Sequence, residues 1–90
     1  MNVKPGDVVK IYSWHGVVQD VFTSAGGTVL KMRFVKNLFF GQESELIELV
    51  DEIEIAPATV EDLRGEIRSR ARYQQNEIDR FLTVAERRLK

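Results

Sequence analysis

The sequence has no cysteine, two prolines, one tryptophan and one histidine. Without cysteine there is no disulfide staple and no thiolate metal site. A lone histidine does not complete a ligand set, so no metal and no cofactor are expected. No apolar run approaches the ~20 residues that cross a bilayer, and the N-terminus lacks the apolar core of a signal peptide. A cytoplasmic protein without a membrane partner is therefore expected. No phosphate-binding loop, dinucleotide fingerprint or metal-ligand spacing occurs.

Ninety residues, 43% hydrophobic and 30% charged, suit one small folded domain or a minimal domain with an appendage. A chain of this size buries only about 60–65% of the surface its unfolded form exposes, which leaves a thin core. The net charge of −1 draws the whole molecule to no polyanion. The distribution is uneven: residues 1–55 carry five basic and eight acidic side chains, residues 56–90 eight basic and six acidic. Six acids crowd Glu43, Glu45, Glu48, Asp51, Glu52 and Glu54, while seven arginines lie in the tail. Mutual attraction of the two parts competes with a basic tail kept for an anionic ligand.

Pro5-Gly6-Asp7 is a turn signal that launches a strand, Val8 to Tyr12. Trp14-His15-Gly16 reads as the following turn, with Gly16 able to take a positive φ, and Val17 to Phe22 as the return strand. After the loop Thr23 to Gly27, Thr28 to Val35 alternates, with Leu30, Met32 and Phe34 on one face and Lys31 and Arg33 on the other. Lys36-Asn37 permits a turn, and Leu38-Phe39-Phe40 opens a short strand stopped by Gly41. From Leu46 to Ile55, Ile47, Leu49, Ile53 and Ile55 share one parity; Asp51 falls among them, which predicts a bulge near Val50-Asp51. Four or five short strands in ~50 residues suit a closed or nearly closed barrel. The fold class expected is α+β: a small antiparallel barrel over residues 1–56 and a helical tail over residues 57–90.

The opening pattern, Pro5-Gly6-Asp7 with Val9 and Ile11, then Gly16-Val17-Val18, resembles the first hairpin of SH3-like small barrels of the KOW and Tudor type. Within that group, Gly6-Asp7-Val8-Val9 and His15-Gly16-Val17 are similar to the RNA-polymerase-interacting domain of CarD-like transcription factors. One extra residue separates the two halves here, Ser13 or Trp14 replaces the proline before the turn, and Val18 stands where a second glycine is usual. The resemblance implies binding to protein or RNA rather than catalysis, without selecting between them.

The tail opens with Thr59 as N-cap and Asp62 in the place of the capping-box acid. Run as one helix, Val60 to Leu89 spans ~45 Å, more than a barrel ~25 Å across can cover. Its apolar residues form two groups: Val60, Leu63 and Ile67, then Ile78, Phe81, Leu82, Ala85 and Leu89. Between them Arg68 to Asn76 is polar nearly all round. Either the helix breaks there into a hairpin, or its far half packs on another chain. Ile78, Phe81, Leu82, Ala85 and Leu89 are thus the candidate self-association or partner-docking residues.

Other candidates carry two readings each. Trp14 and His15 either form an exposed tip for a partner or close one end of the barrel and bond locally. With Ser13 and Asp20, His15 permits a triad story, but no oxyanion-hole motif accompanies it, so no catalytic residue is assigned and no enzyme is expected. Phe39 and Phe40 either lie under Leu63 and Ile67 or form an aromatic platform for RNA bases beside Lys31, Arg33 and Lys36. Arg64, Arg68 and Arg72 stack at i, i+4, i+8, with Arg70 nearby; the row meets the acidic segment, an outside anion or only solvent. Glu66 offsets Arg70, and Glu77 offsets Arg80. Function is expected to be non-catalytic interaction or assembly, with a protein partner or a homo-oligomer. The alternative is a nucleic-acid-associated factor that binds RNA or the transcription machinery.

Overall fold

The structure, a computed structural model, describes residues 3–50 and 53–89, and within the last turn no side chain beyond Arg87. Five antiparallel strands, β1 (Val8–Ile11), β2 (Trp14–Ser24), β3 (Gly27–Phe34), β4 (Glu45–Glu48) and β5 (Ile55–Pro57), form one sheet in the order β4-β3-β2-β1-β5. A short helix α1 (Val35–Phe40) follows β3, and a long helix α2 (Val60–Leu89) ends the chain. The α+β class and the strand count match the sequence pattern. The barrel is not closed: β4 and β5 are the two ends of the sheet and do not pair with each other.

Alternation accounts for the core. Leu30, Met32 and Phe34 of β3 point inward with Val9, Ile11 and Val18, and Ile47, Leu49, Ile53 and Ile55 pack against them. The expected bulge near Asp51 falls outside the described residues; a register shift occurs instead in β2, between Val18 and Asp20. Pro57 sits in an edge strand, where a missing N–H breaks no ladder between two partners.

Three local expectations are corrected. The first turn lies at Tyr12-Ser13, since Ile11 pairs with Trp14 and Lys10 with His15. Tyr12, at φ 57°, supplies the left-handed residue, and Gly16 lies inside β2. What Gly16 provides is space: a Cβ there would stand 2.8 Å from Phe34 Cδ1 and 2.9 Å from the Arg33 carbonyl oxygen. Leu38-Phe39-Phe40 is helical. The Phe34 amide donates to Asn37 Oδ1 at 2.7 Å, and Gly41, left-handed at φ 71°, ends the helix with its N–H on the Asn37 carbonyl. Buried Asn37 also donates to Gln42 Oε1 and Glu45 Oε1, each at 2.9 Å, so its own burial is compensated.

The tail is one continuous helix of 30 residues. Asp62 Oδ2 accepts from the Thr59 amide at 2.8 Å, and the Asp62 amide donates to Thr59 Oγ1 at 3.2 Å, the expected capping box. The hydrogen bond from Thr59 holds the Asp62 carboxyl below its ordinary value. The molecule measures 60 × 28 × 22 Å and has a radius of gyration of 17.2 Å, against about 12 Å for a compact chain of this length. The excess comes from a helix longer than the body that carries it.

Candidate functional site

Two features stand out: a polar clasp that docks the first half of α2, and an apolar face on its second half. The clasp centres on Glu66. Its Oε1 accepts from the His15 amide and lies 2.9 Å from His15 Nδ1; its Oε2 accepts from Arg70 Nε, also at 2.9 Å. Burial alone would raise the Glu66 carboxyl. The His15 amide, Arg70 and the His15 ring outweigh it and hold the group below its ordinary value of 4.5.

Trp14 completes the clasp. Arg70 Cζ stands 4.5 Å from the centroid of its ring and Lys36 Nζ 4.7 Å. Both cations are already neutralised, Arg70 by Glu66 and Lys36 by Glu45 at 3.2 Å, so the indole gains cation–π attraction without stranding a charge. One chain of contacts, Glu45–Lys36–Trp14–Arg70–Glu66–His15, thereby ties β4, α1, β2 and α2 together.

Trp14 and His15 are therefore not at the hairpin tip, which Tyr12 and Ser13 occupy. Nor does His15 bond locally, since its partner lies 51 residues away. Ser13, His15 and Asp20 do not assemble: Asp20 Oδ1 accepts from the Val21 amide, and His15 faces Glu66. Nothing in the local sequence groups Glu66 and Lys36 with Trp14. The only visible signal was the Glu66–Arg70 spacing.

Leu63 and Ile67 share a cleft of about 310 Å³ with Val17, Arg33, Phe34 and Leu38; Leu38 stays exposed, and neither Phe39 nor Phe40 lines that cleft. Phe39 and Phe40 instead line a second cleft, of about 290 Å³, with Arg70, Tyr73, Gln74 and Glu77. The polar middle of the helix thus meets the aromatic pair.

The arginine row behaves residue by residue. Arg64 pairs with Glu61, Arg70 is drawn into the clasp, and Arg68 and Arg72 have no ion pair among the described residues. Among those residues no ion pair joins the acidic segment of Glu43 to Glu54 to α2; within the segment, Glu45 pairs with Lys36 of α1. Of the three surfaces open to the row, the acidic segment is not the one it meets among the described residues. Glu77 does pair with Arg80, at 3.2 Å.

Past Glu77 the helix leaves the body. Ile78, Leu82 and Val84 are exposed, Phe81 is 72% exposed, and Ala85 is half-buried. The side chain of Leu89 lies outside the described residues. Among the described residues no helix is long and apolar enough to cross a membrane. No protein-family model, curated protein or solved structure matches the chain.

Proposed function

We propose that this chain is a non-catalytic interaction and assembly module whose sheet domain holds a long helix and presents the helix's outer half for association. The observation that carries the reading is Phe81 at 72% exposed, in a stripe with Ile78, Leu82 and Ala85 on a helix anchored firmly at its other end. Large apolar side chains grouped on one face are the usual mark of an association surface. The likeness of the opening hairpin to SH3-like small barrels, a class of binding domains, agrees with it. Size-exclusion chromatography with light scattering tests the reading. An assembly that Phe81→Glu dissociates supports it; a clean monomer whose Phe81→Glu variant is equally stable and equally soluble sinks it.

A second reading, as a nucleic-acid-associated factor, rests on Arg68 and Arg72, exposed and without an ion pair among the described residues. It requires salt-dependent RNA binding that weakens when both are neutralised. No binding at low salt removes its direct form.

A further inference from the structure

We infer that α2 is a detachable strap: it leaves the sheet as one unit, pivoting between Ala58 and Thr59, while the sheet stays folded, and so bares the Trp14 ring and Val17.

The core is complete without it. The buried cluster of Val9, Ile11, Val18, Leu30, Met32 and Phe34 comes wholly from the strands, and the partly buried side chains packed against it include none from α2. Among the described residues no side chain of the 30-residue helix is buried. Where α2 meets the body, Ile67 and Leu38 remain exposed. Segments with few buried apolar contacts open at a lower free energy than the core.

The links that cross the interface are also few. Among the described residues, and beyond Thr59 at its own cap, α2 hydrogen-bonds the rest of the chain through one atom. Glu66 Oε1 accepts from the His15 amide and faces His15 Nδ1, each at 2.9 Å. The other ion pairs each lie on one side. Lys36 and Glu45 belong to the body; Arg64 with Glu61, Arg70 with Glu66 and Arg80 with Glu77 belong to the helix. Separation therefore strands none of these cations. It costs the His15 contact, the cover of Arg70 on Trp14 at 4.5 Å and the packing of Leu63 and Ile67.

The helix is fit to leave whole. Its capping box, Thr59 with Asp62, travels with it, as do its own ion pairs. Its 30 residues exceed the length of about 12–15 below which an isolated helix is marginal in water. On the body side, the Ala58 amide donates to the Val8 carbonyl oxygen at 3.0 Å, which fixes the chain to β1 and leaves the pivot just after it.

The His15 amide reads the strap directly, because its acceptor lies on α2. The test is native-state hydrogen exchange of the full chain, followed by NMR in urea kept below the unfolding transition. The His15 amide should exchange at least about 30-fold faster than the slowest amides of β1, β2 and β3. Its protection should fall as urea rises, because release exposes surface. Ile47→Val, on β4, should quicken those slowest amides by about 2–10-fold and leave His15 unchanged, since it weakens the sheet equally with the helix on or off. If His15 exchanges in step with the slowest sheet amides, in urea or in Ile47→Val, helix and sheet open only together and the strap is overturned. Fast exchange of His15 that ignores urea overturns it too, because the Glu66 side chain then swings aside alone while α2 stays. The association reading concerns the outer half of α2 and stands or falls separately.

Discussion

The two halves of α2 are built from similar residues and end in different surroundings. Each carries apolar side chains at helical spacing among charges of both signs. In the inner half, Glu66 and Arg70 are drawn into a clasp with His15 and Trp14, and Leu63 is half-buried. In the outer half Phe81 faces solvent and, among the described residues, Arg80 pairs only with Glu77 on its own helix. Reach separates them: the body ends at the cleft that Tyr73, Gln74 and Glu77 line with Phe39 and Phe40. An amphipathic face announces that something covers it, and the covering element has to be found elsewhere.

The contrast breaks first at Trp14. Trp14→Ala removes the ring that both Lys36 and Arg70 cover, and is expected to cost about 3 kcal/mol in urea unfolding. Hydrogen exchange should quicken across residues 60–70. A loss no larger than that of an outer-half variant would remove the distinction.

Glu66→Ala comes next, at about 1–3 kcal/mol, because it leaves the His15 amide without its acceptor and Arg70 without its carboxylate. The same group predicts the acid limb. Its folded value lies below 4.5, so its contribution is complete above that pH and is lost as the pH falls below it, where the unfolded chain takes up the proton first. Glu66→Gln should therefore flatten the loss of stability between neutral and acid pH; an unchanged acid limb would place the effect elsewhere.

Gly65→Ala sharpens the comparison from the other side. Nothing lies within 4 Å of a Cβ at that helical position, so the substitution should stabilise by about 0.5–1 kcal/mol, read as a higher urea midpoint. The smallest effect belongs to the outer half. At concentrations low enough to keep the chain monomeric, Phe81→Glu should change the unfolding free energy by less than about 0.5 kcal/mol.

Much of the architecture was legible because it is local. The period-2 run Leu30, Met32 and Phe34 marked the inward face of β3, and Thr59 with Asp62 marked the start of α2. Phe39 and Phe40 lie on a helix where the pattern predicts a strand. A short apolar run fits a strand or a helix equally, and the choice was made by the Asn37 side chain on the Phe34 amide and by left-handed Gly41. The Tyr12 turn is not legible locally, because glycine is the usual carrier of positive φ and here Gly16 serves the close approach to Phe34 instead.

The candidate site was legible only in part. The stripe Ile78, Phe81, Leu82 and Ala85 could be read from spacing, and so could the pairing of Glu66 with Arg70 and of Glu77 with Arg80, since a helix fixes which residues share a face. That His15 meets Glu66 could not, because nothing in the local sequence relates residues 51 positions apart.

Backbone periodicity, caps and charge spacing were thus settled along the chain, where each depends on a few neighbours. The open edge between β4 and β5, the clasp around Trp14 and the division of α2 into a held half and a free half came from packing. They depend on where distant segments stop in space, and hydrophobic burial, being non-directional, does not write that into local sequence.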